Sequence, residues 1–265
     1  MSGGGSGAGG TKNRVPGGSS GGRVRVRRAR RLPHPHRAAQ RGDRDGPALV
    51  ADAPSPTVSG PVVSLRRMSF SLTLFVVDPD TAHNAIGSKD VRMRRAIGGR
   101  FKREMARDDD YFSSQIADGA PTRYEALTAV VDGGPFDEAH GFQYGYAYRM
   151  ICAFHGRMIV TSNFSPFRAG WLERVDEGLK SLGVTAVRVA EFGYGLPSAL
   201  PYTDLPGHGV WTAAECATAL EQYEAATEDQ FAALDREVRE AADEAATWLQ
   251  SARAAQGRGI VGFMS

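Results

Sequence analysis

Residues 69–78 read SFSLTLFVVD and residues 257–265 read GRGIVGFMS, and the class of the fold follows from these two ends. In the first, Phe70, Leu72, Leu74 and Val76 alternate with Ser71, Thr73, Phe75 and Val77. An alternation that turns apolar on both sides describes a strand buried progressively on two faces. Asp78-Pro79-Asp80 stops it. The second stretch follows Gly257 and Gly259 as a closing strand, so the first and last strands are expected to pair or to share one sheet. Between them the pattern is helical, and the expected class is α+β: one helix-rich domain over residues 68–265 with one small sheet.

Working inward, residues 90–106 place Val91, Ile97, Phe101 and Met105 at helical spacing, interrupted by Gly98-Gly99, each of which costs about 1 kcal/mol in a helix interior. Thr122-x-x-Glu125 is a capping box, in which each residue satisfies an amide of the other. Leu127, Val130 and Val131 continue that helix to Gly133-Gly134. Tyr144, Tyr148, Ile151, Cys152 and His155 form a helical stripe closed by Gly156. Ser165-Pro166 is expected as N-cap and first residue of a helix carrying Leu172, Val175, Leu179 and Leu182. Val184, Val187 and Val189 are then expected as a short strand, and the Gly- and Pro-rich residues 192–209 as a loop. Thr212-x-x-Glu215 is a second capping box. It opens a long helical run to Ala252, with a break expected near Thr227-Glu228-Asp229.

The overall charge of +2 over 265 residues conceals two opposite halves. Residues 1–67 hold thirteen basic and three acidic residues, a net of +10; residues 68–265 hold nineteen basic and twenty-seven acidic, a net of −8. The first segment has no Phe, Tyr or Trp and carries 13 of the 32 glycines. It cannot bury enough apolar surface to offset an ordering cost of roughly 1–2 kcal/mol per residue, and is expected to be a disordered basic tail. Its Arg, Gly, Pro and Ala are what GC-rich codons encode, and Met68 is the expected true start. The run RVRVRRARR (23–31) could instead neutralise nucleic-acid phosphates, in which case residues 68–265 alone would lose affinity. Nucleic acid is nevertheless the disfavoured partner, because the domain is acidic. No apolar stretch follows these arginines as an export signal needs, and no run of 18 apolar residues occurs, so a cytoplasmic protein without a membrane partner is expected.

Residues 132–168 concentrate the unusual chemistry. Asp137, Glu138 and His140 lie between Gly134 and Gly141, followed at once by Gln143, Tyr144, Tyr146 and Tyr148. His140 with Asp137 or Glu138 could form an oriented acid–base pair, with Tyr144 or Tyr148 donating to an oxyanion. The alternative is structural: Asp137 and Glu138 complement the dipole of the next helix, while His140 and the tyrosines cap and pack it. No nucleophile elbow, zinc-protease motif, phosphate loop or dinucleotide fingerprint occurs. The four domain histidines (His83, His140, His155, His208) lack ligand spacing, so neither a metal nor a cofactor is expected. Asp108-Asp109-Asp110 is expected as a solvated turn, and Cys152 as a buried thiol. Cys216, in the first turn of a helix, has the position in which a thiol pKa could be lowered, but no basic neighbour.

The blocks PFDEAHGFQYGYAYRMICAFHG, RYEALTAVV and SPFRAGWLERVDEGLKSLGV resemble a bacterial domain family common in actinomycetes that has no assigned activity. The resemblance covers about residues 68–225 and the closing helix and strand. The order of elements is more distantly similar to the YfbM-like proteins. Neither likeness carries catalytic residues; both imply a cytoplasmic bacterial domain. The expected function is a non-catalytic binding or interaction domain for a protein or small molecule, using Asp137, Glu138, His140, Gln143, Tyr144, Tyr146 and Tyr148. The alternative is a hydrolase-like enzyme using His140 with Asp137 or Glu138.

Overall fold

The first stretch forms two strands, β1 (Ser69–Phe70) and β2 (Leu72–Val77), and the last forms β6 (Gly259–Met264) in a computed structural model that describes residues 69–265. The expectations for residues 1–67 and for Met68 lie outside the described residues. β2 and β6 pair antiparallel over their whole length, from Leu72 opposite Met264 to Val77 opposite Gly259. Ser71 and Ser265 extend the ladder by exchanging backbone bonds of 2.8 and 3.0 Å. β3 (Arg157–Ile159) lines the far side of β2 and β5 (Gly207–Trp211) the far side of β6, giving an antiparallel sheet in the order β3-β2-β6-β5. β1 pairs instead with β4 (Phe167–Arg168).

Because side chains alternate across a strand, the double apolar pattern of β2 requires a cover on each face. Leu72, Leu74 and Val76 pack with α7 (Trp171–Ser181), α8 (Ala213–Glu224) and α10 (Arg236–Ala254). Phe75 and Val77 pack, with Val261 and Phe263 of β6, against α1 (Pro79–Asn84), α2 (Val91–Arg100), α5 (Arg123–Asp132) and α6 (Gly141–His155). Each Leu or Phe withdrawn from water on either face contributes about 1.5–3 kcal/mol.

The capping signals translate directly. Thr122 opens α5 and Thr212 opens α8 with both arms of the capping box formed, and Gly133 closes α5 at φ +81°. The long helical run breaks at the expected place: Thr227 restarts the chain with its own capping box to Gln230 for α9 (Glu228–Ala232), and α10 begins after Asp235. The expected break at Gly98-Gly99 falls later. α2 runs through both glycines to Arg100, and α3 (Lys102–Tyr111) starts after Phe101. A Cβ at Gly98 would meet the Tyr124 ring at 2.6 Å, so the missing side chain admits α5. α4 (Ser113–Ala117) follows.

Three expectations are corrected. Ser165-Pro166 does not start a helix: the chain continues into β4, Phe167 packs on Phe70 with ring centroids 5.9 Å apart, and α7 begins after Gly170 at φ +85°. Val184, Val187 and Val189 are buried, but residues 184–189 form no strand. Gln222 accepts the Thr185 and Ala186 amides, and Asp176 accepts those of Val189 and Ala190, so side chains take the place of a sheet partner. Residues 207–209 are not loop but the start of β5.

Candidate functional site

Asp137 organises the turn that leads into α6. Its backbone is extended, and its Oδ1 accepts the Ala139 amide at 2.9 Å, capping a 3₁₀ turn over Glu138–His140. Its Oδ2 lies 2.7 Å from His140 Nδ1, while its own N–H donates to the buried Tyr144 hydroxyl at 2.9 Å. The hydrogen bond from His140, then the Ala139 amide, holds the Asp137 carboxyl below its ordinary value. An ionised Asp137 can accept only from an Nδ1–H of His140, which turns Nε2 away from it. The Asp137 side chain is 47% exposed and that of His140 19%, and Glu138 is exposed beside them. This is an accessible, oriented acid–base pair.

The rest of the segment turns inward. Gln143, Tyr144 and Tyr148 are buried, whereas Phe142 and Tyr146 are half-buried. Tyr146 packs against Phe112, and its ring receives two guanidinium groups, Arg123 at 4.8 Å and Arg149 at 5.0 Å. Arg123 is the fully buried cation of the domain's described residues. Its Nε donates to Asp108 at 3.1 Å and its Nη1 to the Gln143 carbonyl at 3.0 Å, while Asp109 accepts the Arg123 amide at 2.7 Å. The three consecutive aspartates are therefore not a solvated turn: they lie in the last turn of α3, and two of them hold the start of α5. Arg123 Nη2 and both amide atoms of Gln143 have no hydrogen-bond partner among the described residues. Burial lowers the Arg123 pKa against the pull of Asp108.

Sequence reasoning passed over Arg123 and His208. Arginine is almost never fully buried unless paired, and the pairing here spans two helices with no local signal beyond Asp108-Asp109-Asp110 itself. His208, on β5, lies between Tyr148 and Phe263 at 5.5 and 5.3 Å, and burial lowers its pKa to about 4. The loop before β5 seals α6: a Cβ at Gly141 would strike the Tyr202 carbonyl, and one at Gly145 would meet Leu196 and Pro206 at 2.9 Å. Cys152 is buried as expected, and burial pushes its thiol up. Cys216 is also buried, and its thiol is pushed up to about 12, opposite to the shift that helix position alone could give.

The surface cavities lie elsewhere. One of 570 Å³ is lined by Asn163, Phe167, Trp171, Arg174 and Glu240, and one of 510 Å³ by Phe101, Arg100, Arg149 and Met158. Among the described residues no cluster of His, Cys, Asp and Glu has the arrangement to hold a metal ion, and no helix is long and apolar enough to cross a membrane.

Neither the curated proteins nor the solved structures contain a match to this chain. A family model described as a domain of unknown function, DUF7691, matches residues 68–265. That span runs from the residue before β1 to the end of β6, so every element described above lies within it. The chain belongs to the DUF7691 family.

Proposed function

We propose that this is a cytoplasmic binding domain that works without catalysis of its own, with Asp137, Glu138 and His140 at its contact surface. The observation that carries the reading is the division of the 137–148 segment. Asp137, Glu138 and His140 reach solvent on a turn anchored by Tyr144, while Gln143, Tyr144 and Tyr148 fix α6 in the core. A charged, rigidly presented turn on a buried helix can recognise a partner at little ordering cost. The nucleophilic thiols, by contrast, are buried with raised pKa values.

The test is retention of partners by the full chain. Replacing Asp137 and His140 by Ala is expected to abolish binding of a stoichiometric partner while the chain stays folded, with only the small loss of stability that removing the Asp137 cap entails. Retained binding, or a matching loss of stability, would return these residues to a structural role.

A second reading, hydrolase-like acid–base chemistry, rests on the 2.7 Å contact that orients His140. It predicts turnover in an ester and phosphoester screen that His140→Asn removes. Such turnover would displace the binding reading.

A further inference from the structure

Among the described residues the β3 edge of the sheet is unpartnered. In an antiparallel ladder the N–H and C=O of one residue point the same way, and successive residues alternate. Ser71 faces β6, through its exchange with Ser265, and the Leu72 carbonyl faces β3's side, where it accepts the Thr161 hydroxyl at 2.8 Å. Leu74 and Val76 therefore spend their backbone groups on Ile159 and Arg157, which stand opposite them. Met158, between these two, must direct its N–H and C=O away from β2. The next outward carbonyl, that of Val160, is already bonded to Trp248 Nε1 at 2.8 Å. Met158 and Val160 are 67% and 73% exposed, so an apolar pair borders an open backbone edge.

The groove on the α6 side of this edge holds 510 Å³ and is lined by Arg100, Arg149 and Arg157, with Phe101 and Met150 between them and Glu104 as its acidic residue. None of the three arginines has a carboxylate within ion-pair distance among the described residues. Arg100 lies over the Phe101 and Phe154 rings at 5.2 and 5.9 Å, and Arg149 over Tyr146. They are held in place by aromatic faces rather than neutralised. This positive groove belongs to a domain whose net charge is −8.

We propose that β3 is a strand-addition site for an extended, carboxylate-bearing peptide segment. Its backbone pairs with Met158, its apolar side chains rest on Met158 and Val160, and its carboxylates meet Arg100 and Arg149 on the α6 face of the sheet. Charge decides between occupants. Residues 1–67 of this chain, net +10, lack the negative charge the groove calls for, and a second β3 would bring another Arg157 to it. An unpaired edge supplies backbone bonds that a phosphate backbone cannot return, which favours a peptide over nucleic acid. The site lies at the opposite end of α6 from Asp137 and His140, so its failure and that of the proposed function are separable.

The experiment is selection of a random heptapeptide library on the full chain, followed by fluorescence anisotropy of the selected peptides and hydrogen exchange at the Met158 amide. The selected peptides are expected to be rich in Asp and Glu and to slow exchange at Met158. Arg149→Glu and Arg100→Glu are each expected to weaken them about tenfold. Met158→Pro removes the outward N–H at an edge where proline is tolerated, and is expected to abolish binding at unchanged melting temperature. Should that variant fail to fold, the exchange measurement and the arginine variants decide alone. Basic or unenriched peptides, affinities untouched by charge reversal, or unaltered Met158 exchange would each overturn the proposal. So would a dimer that Met158→Pro dissolves, or single-stranded DNA bound at the same arginines.

Discussion

The guanidinium of Arg123, at the start of α5, is wholly buried and meets Asp108, in the last turn of α3, at 3.1 Å. With the Gln143 carbonyl at 3.0 Å and the Phe112 and Tyr146 rings at 5.6 and 4.8 Å, this one side chain ties α3, α5 and α6 together. A charge so placed is tolerated only while its partner is present, because its desolvation cost is several kcal/mol. The interaction thereby fixes how the three helices beneath the Asp137 turn are arranged.

Arg123→Ala should accordingly destabilise the domain by about 3–5 kcal/mol, lowering the melting temperature by on the order of 10 °C. Asp108→Ala alone leaves the buried cation short of its acid. The double variant Asp108→Ala/Arg123→Ala should be less damaging than the two losses added. Urea denaturation of the four proteins gives the cycle. Additive losses would show that the pair does not act as a unit.

His208 makes stability depend on pH in a predictable direction. Burial lowers its pKa to about 4, aided by a smaller contribution from His83, whereas the unfolded chain binds the same proton near 6.5. Below 6.5 the unfolded state takes up protons that the folded state refuses. Its contribution is complete above pH 6.5 and is lost progressively as pH falls to 4, a total of about 3 kcal/mol. His208→Gln should flatten the denaturation midpoint across this window. Asp78, Glu125 and Asp137, whose pKa values are lowered chiefly by hydrogen bonds from Thr81, Thr122 and His140, add a slope of the same sign at lower pH. Half-buried Asp176 and Glu191, raised by desolvation, oppose it. An unchanged slope in the variant would contradict the assignment.

The two thiols should be silent in the native state. Cys152 is enclosed and Cys216 is pushed up to about 12, so neither offers thiolate at neutral pH. Iodoacetamide at pH 8 is expected to label neither in buffer and both in urea, as read by intact mass. Rapid native labelling of Cys216 would mean that the first turn of α8 opens.

How far the sequence was legible depends on how local each signal is. Both capping boxes, the restart at Thr227 and the pairing of the first and last strands were readable, because a cap is a contact over three residues and the double apolar pattern of Leu72–Val77 demands two covers. β3 and β5 were not. Arg157–Ile159 is too short for an alternation to register, and Gly207–Trp211 is rich in glycine because the backbone of residues 191–193 crosses it closely. The strand expected at 184–189 failed because Asp176 and Gln222, distant in sequence, satisfy those amides. In the 137–148 segment, Asp137 and His140 were legible as a pair at i and i+3. Tyr144 and Tyr148 are buried as their helical stripe suggests, but the burial of Gln143 depends on the loop over α6 and on Arg123, which no local pattern announces.

The most direct test of the binding reading is affinity capture with the full chain beside its Asp137→Ala/His140→Ala variant, each shown to be folded by its melting curve. Bound proteins and small molecules would be read by mass spectrometry. The expected result is a stoichiometric partner present with the native chain and absent with the variant. An identical bound set for the two, or turnover of a screened substrate that depends on His140, would contradict it.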